Sequence, residues 1–508
     1  MSQQQLPAEL LSYIVSFATT ETLANVALCS REFYDFALPY LYETLDVRPR
    51  RAVGRRHHHD RFGLGRLLEL FMKKPQIAVL VRKLSIWPAF TNNAGHGVYQ
   101  CRCGKYAMIS EQRDLPDHVE QLLAALEDYD RKFWELPSLE EAYIAYSEDA
   151  MLAFLLCTLP RLKSIDLATA MNMEWVPKVV ALRCAYHTLV STSQQELEDA
   201  LPLRFRPVAG LPMFPELQDV RWSSTGPEHS NLLEEMLDIS SAKRISCDNF
   251  RSANGVHNPW GHLPRDEKGL RKLKPASSNM EKLELRYCEL NNSDMSGALR
   301  FPKALKSFVY EIHPEHIEQS RSDYQQLRQS LGQHEQSLEH LCLDADDNDW
   351  PYLPTFDTPW IDSLQSFQKL THVRLSAGLI FNQLALKPTP GWESLEDFAN
   401  AGSPETVFME LLPRHIETFE LGVGDAFVDR TCASLEHLLS HRASVPALSS
   451  VSLDVRKSSA AIYRERLFRT LPQLGQDNGV RVSIRERYSE DIFVTEPYGA
   501  SLPGPDTL

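Results

Sequence analysis

The apolar positions of the chain change rhythm near residue 45: before it they follow a helical period, and after it they recur in short alternating runs separated by helical ones. In "LPAELLSYIVSF", residues 6–17, Leu10, Leu11, Tyr13, Ile14, Val15, Phe17 and Ala18 cover roughly 200° of a helical wheel, leaving Glu9, Ser12 and Ser16 for water. A helix starting at Pro7 suits a residue that has no N–H to lose in the first turn. An arc that wide needs a second cover beyond the helix's own neighbours. The next stretch, "TLANVALCSREFYDF", reads as one helical segment in which Val26, Cys29, Phe33 and Phe36 form the stripe for a local core. Leu28 instead falls among Arg31, Glu32 and Asp35, on what should be a wet face. A third short helix, "FALPYLY", is expected to break at Pro39, and Tyr42 leads into "YETLDV", which alternates as a strand does. Three such helices make a core too small to stand well alone, so a partner or the rest of the chain must cover the surplus.

From there a sentence recurs. "LPSLEEAYIAY" begins at Leu136, "LPRLKSIDLA" at Leu159, "FPELQDVRW" at Phe214 and "VPALSSVSLDV" at Val445. Each carries an apolar residue, Pro, any residue, Leu, and apolar positions three and five residues after that Leu. Looser copies without Pro begin at Met280, Ser337, Lys369 and His415, and further candidates near Val81, Ala242, Leu305 and Gly479. Pro stops a preceding helix and biases the residue before it toward extended backbone; the alternation then gives a short strand with one buried face. Helical stretches such as "LGRLLELFMKK", "DYQQLRQSL" and "ETVFMELL" lie between copies. Strand and helix alternating on a shared signature is similar to a leucine-rich-repeat solenoid, and Leu283, Leu285, Cys288 and Leu290 fit that repeat's extended form. The spacing, roughly 36 residues against the usual 20–29, predicts an irregular array with insertions. A doubly wound α/β domain is the other fold considered, but no Gly-rich phosphate turn follows any of these strands.

Composition narrows the function. A formal net charge of −15 argues against general nucleic-acid binding, which needs a basic face. Nine scattered cysteines do not make a disulfide framework and suggest a reducing compartment, cytoplasmic or nuclear. The opening "MSQQQLPAEL" lacks the basic segment and apolar core expected of a signal peptide, and "MLAFLLC", the densest apolar run, falls far short of a membrane span.

The opening residues carry a resemblance. "LPAELLSYIVSFATTETLANVALCSREFYDFALPYLYETL" resembles an F-box of the kind common in fungal proteins: the Leu-Pro opening with Glu two residues on, Ile14, the Leu-Cys-Ser-Arg turn with an aromatic three residues after Ser30, and the Leu-Tyr-x-Thr-Leu exit. Ala18 stands where such motifs carry a larger apolar residue, and Cys29 where Val is commoner. The resemblance implies docking on a Skp-type adaptor, and through it on a cullin–RING ubiquitin ligase, with Leu6, Pro7, Leu10, Ile14, Leu28 and Cys29 as the adaptor contacts. The fold expected is α/β: a short three-helix F-box over 1–45, then an irregular leucine-rich-repeat solenoid of parallel strands and helices over 46–487. Insertions are expected near 88–115, 168–213 and 250–279, and a partly disordered tail over 488–508.

On such a solenoid the outward strand residues line a concave face suited to a protein client. Tyr143, Arg221, Glu284, Arg286, Glu311, Asp344, Arg374 and Glu420 are the candidate client contacts; Asp166, Asp454 and Arg485 share the pattern. Their slight acidity mirrors that of the whole chain. Catalysis finds no support, and no cofactor is expected: there is no G-x-S-x-G elbow or P-loop, and "HEQSLEH" spaces its histidines wrongly for a zinc-protease helix. His57, His58, His59, His96, Cys101 and Cys103 raise a zinc reading, but "CRC" lacks the spacing and no second cysteine pair is near. "RPRRAVGRRHHHDRFGLGR", 48–66, reads as a solvated loop, with nuclear import as the alternative. The function expected is a non-catalytic substrate-recognition subunit of a Skp–cullin–F-box ligase; the alternative is an F-box repeat scaffold working outside a ligase.

Overall fold

A computed structural model describes residues 7–47, 64–86, most of 152–169 and 214–251, 275–312 apart from two positions, 324–345, 363–381, 404–424, 427–456 and 463–487. Among these, three helices open the chain: α1 Ala8–Ser16, α2 Thr20–Cys29 and α3 Arg31–Glu43. Pro7 stands just before α1 as its cap, with extended backbone, rather than inside the first turn. The stretch expected to run unbroken from Thr22 to Phe36 is divided at Ser30. This residue has extended φ/ψ, and its Oγ accepts the Phe33 N–H at 3.1 Å, starting a new helix where the sequence pattern suggested continuation. The break expected at Pro39 does not occur. Pro39 lies exposed inside α3, where the one carbonyl it leaves without a helical donor belongs to Asp35, itself exposed.

The chain divides into two compact units, residues 1–226 with 238–242, and 227–237 with 243–508. In the first, α1–α3 lead into β1 Thr44–Val47, followed by α4 Leu64–Lys73, α5 Pro75–Ala78, β2 Lys83–Ile86, β3 Ser164–Thr169 and β4, which starts at Asp219. The strands pair in parallel and in chain order, Leu45 with Leu84, Leu84 with Ile165 and Ile165 with Val220. The second unit holds β5 Arg244–Arg251, β6 Lys282–Arg286, α6 Asn292–Arg300, β7 Ser307–Ile312, α7 Tyr324–Gly332, β8 His340–Ala345 and β9 His372–Ser376. It continues with α8 Ala377–Ile380, α9 Val407–Leu411, β10 Thr418–Val423, α10 Val428–Ser440, β11 Ser450–Arg456, α11 Leu471–Asp477 and β12 Arg481–Arg487. Here too every neighbouring pair is parallel and sequential. Parallel strands alternating with helices in unbroken chain order make an α/β solenoid after the three helices; a doubly wound sheet would reverse its order at a switch point.

The apolar triplets of the recurring sentence become the core. Leu217, Val220 and Trp222 are buried in β4 and the turn before it; Leu338, Leu341 and Leu343 do the same for β8, and Leu448, Val451 and Leu453 for β11. In β12 Gly479 takes the place of the first Leu, with φ +69°, a backbone region that favours glycine. The repeats are stitched at strand entry. Glu281 N–H donates to Lys243 O at 2.8 Å, Lys306 to Glu281 at 2.8 Å, Glu339 to Lys306 at 2.8 Å and Glu417 to Thr371 at 2.9 Å. Cys288 fills the polar position of the extended repeat: fully buried, its Sγ accepts the Phe250 N–H at 3.4 Å and lies 3.5 Å from Cys247 O. His334 is also fully buried, Nδ1 accepting Leu305 N–H at 3.3 Å and Nε2 donating to Leu299 O at 2.8 Å; it is the neutral Nε2–H tautomer, a staple between turns.

The insertion near 88–115 and the 488–508 tail lie outside the described residues, as do most of the insertions at 168–213 and 250–279.

Candidate functional site

α1 and the two residues after it carry two apolar stripes. Leu11, Val15 and Ala18 recur at helical spacing on one side. Val15 is buried with Leu23 of α2 and Ala37 of α3, and Ala18, Val26, Ala27, Phe36, Tyr40 and Leu41 pack around them. Ser12 Oγ and Tyr40 Oη, 3.0 Å apart, tie α1 to α3. The second stripe, Leu10, Tyr13, Ile14 and Phe17, follows the same i, i+3, i+4, i+7 spacing about a third of a turn away and lies open. Leu10 is 49% exposed, Ile14 56% and Phe17 71%. Tyr13 and Phe17 meet edge to face with ring centroids 4.8 Å apart.

Leu28, at the end of α2, is 85% exposed, an unusual position for a leucine in a helix that buries Leu23. Pro7 and Cys29 are exposed too, while Leu6 lies outside the described residues. Two expectations for the local core need correction. Cys29 and Phe33 do not face it: once Ser30 starts a new helix, the wheel drawn through both segments no longer applies, and Cys29 is exposed with its Sγ–H directed to Asn25 O at 3.4 Å. Among the described residues, Tyr13 and Phe17 enlarge the open face beyond the contacts expected from sequence; their place in the apolar arc was the available signal.

Of the candidate client contacts, Tyr143 lies outside the described residues. Arg221 is on β4 in the first unit, in register with Asp166 of β3. The second unit brings the other six together on the strand face opposite the buried rows. Arg286 Nη1 binds Glu311 at 2.7 Å and Nη2 lies 3.4 Å from Glu284. Arg374 holds Asp344 through two bonds, 3.1 and 2.7 Å, and reaches Glu420 at 3.6 Å and Asp454 at 3.4 Å. Burial disfavours the Arg374 charge, yet the Asp344 carboxylate more than offsets this and its pKa is raised. Burial likewise lifts the Glu311 carboxyl above its usual range; Arg286 pulls it back, and Asp344, its register partner, pushes it up again. Cys342, below this network, is driven by burial to a pKa of about 12 and is no nucleophile at neutral pH.

The histidines and cysteines of the zinc reading, His57, His58, His59, His96, Cys101 and Cys103, fall outside the described residues. Among those described, no three His, Cys, Asp or Glu gather as metal ligands, and no helix is long and apolar enough to cross a membrane.

No curated protein matches the chain. F-box domains are in general non-catalytic adaptor modules that bind Skp-type adaptors in ubiquitin ligases. Comparison with known families matches residues 3–48 to the F-box-like domain, the segment that holds α1–α3, β1 and the open stripe: this chain carries an F-box-like domain.

Proposed function

We propose that the chain is the substrate-recognition subunit of a Skp–cullin–F-box ubiquitin ligase, holding a Skp-type adaptor through α1 and α2 and a client protein through leucine-rich-repeat-type strands. The observation that carries this is the uncovered stripe of Leu10, Ile14 and Phe17, joined by Leu28, within an F-box-like domain. Specific protein interfaces remove about 800 Å² per partner from water, with a few large side chains supplying most of the affinity. Leu10, Ile14, Leu28, Pro7 and Cys29 are the adaptor contacts by this reading, and Tyr13 and Phe17 join them.

The contribution to ubiquitin transfer is positional. A client held on a semi-rigid array sits near the charged conjugating enzyme at high effective concentration, and the chain needs no nucleophile of its own. The test is co-expression with a Skp-type adaptor of the native chain and of Leu10→Asp with Ile14→Asp. The native chain retains the adaptor and the double variant loses it at unchanged melting temperature; equal retention by both overturns the assignment.

A further inference from the structure

The strand face of the second unit is split in charge along the strand direction. At strand entry the outward row runs Arg244, Lys282, Ser307, His340, His372, Thr418, Ser450 and Arg481 in register, with no carboxylate in it. Just before the strands, Glu281 is taken up by Lys306 at 3.0 Å, and Glu339 and Glu417 hold the corresponding positions before β8 and β10. Toward strand exit the sign reverses. Four residues on, Asp248, Arg286, Glu311, Asp344, Asp454 and Arg485 stand on the exit row, four carboxylates to two guanidiniums; between the rows Arg374, level with Glu284 and Glu420, turns its guanidinium to Asp344 and Asp454. The whole chain has 68 acidic and 53 basic residues, a ratio that neither row follows, so this separation is not background acidity.

Geometry selects the occupant. The entry and exit rows lie four residues apart along a strand, about 13 Å. An extended segment lying across the strands is too narrow to meet both rows; an α-helix, about 10–12 Å across with its side chains, spans them. Its pitch of about 5.4 Å also nearly matches the strand spacing of about 4.8 Å, so each turn meets roughly one strand. We infer that this face binds a client helix laid across the strands, with acidic side chains along the flank over strand entry and basic ones along the flank over strand exit. The inference rests on the client-binding reading above and names the class of segment recognised.

The test uses the full chain and three synthetic helices of about 22 residues, the length that spans eight strands. One has Glu along one flank and Lys along the other, one has the same residues scrambled around the helix, and one carries Lys alone. Fluorescence anisotropy should give the segregated helix at least tenfold tighter binding than either control. Glu420→Lys, at a half-buried position beside Arg374, and Lys282→Glu, at an exposed one, should each weaken it severalfold. Equal binding of the scrambled or all-Lys helix, no saturable binding of the segregated one, or indifference to both substitutions overturns the inference. Client retention by the adaptor-bound chain is read separately. A client retained equally by native chain and Glu420→Lys overturns the helix inference and leaves client binding standing, whereas a native chain with no client overturns the reading beneath it.

Discussion

The three opening helices and the repeats of the second unit use apolar residues to opposite ends. In β5–β11 the inward rows are buried completely or nearly so, Phe308, Leu341 and Phe419 all at 0% exposure, and what remains outward is mostly polar or charged. In α1 and α2 apolar residues, Leu10, Ile14 and Leu28, stand 49–85% exposed. The first arrangement is a fold satisfying itself; the second is a surface whose apolar area exceeds what its own small core absorbs. The contrast separates residues that hold the chain together from residues that its own core leaves open.

That contrast can be broken most sharply by Leu10→Asp with Ile14→Asp. Two interface anchors worth about 2 kcal/mol each imply a loss of adaptor affinity approaching a thousandfold, measured by calorimetry, with no change in thermal unfolding. Phe308→Ala should do the reverse. A buried phenyl removed from the repeat core costs about 3–5 kcal/mol of stability in urea titration, and adaptor affinity measured under folding conditions stays the same. Leu28→Ala, at an exposed position, should cost about tenfold in adaptor binding and nothing in stability; a drop in melting temperature would place Leu28 in the core after all. Ser30→Ala removes the hydroxyl that caps α3 and should cost about 1 kcal/mol of stability.

The smallest effect separates the regions by pH. Burial holds His334 below its ordinary 6.5, while the unfolded chain protonates this residue normally. The unfolded state therefore binds more protons as pH falls below 6.5. Stability drops from there until the folded-state pKa is passed, and is fully present above 6.5. His334→Gln should flatten that slope in urea titrations at pH 7.5 and 5.5; an unchanged slope would assign the effect to other groups.

Much of the repeat architecture was legible because a parallel strand buried on one face must alternate, and Val81, Ala242, Leu305 and Ile416 each announce such a strand three residues ahead. Helices were read less evenly. "DYQQLRQSL" declared α7, but α10 buries Thr431, Cys432 and Ser434 beside its leucines and so lacked a clean apolar stripe. The division at Ser30 escaped the periodicity, although the F-box resemblance placed a turn at Leu-Cys-Ser-Arg, because a capping hydroxyl competes with helical periodicity over a single residue, and that competition moved Cys29 and Phe33 to the outside. The stripe on α1 was visible as excess arc, although which half would face inward depended on α3. The gathering of Arg286 and Arg374 with their carboxylates depends on register between strands up to eighty residues apart, which local pattern does not encode.

The amides passed from each strand entry to the carbonyl before the preceding strand make every repeat answerable to its neighbours alone. Long excursions between strands can therefore lengthen, shorten or change sequence without altering the pitch of the ladder, so the chain is free to vary its loops while the spacing of its outward charges stays the same.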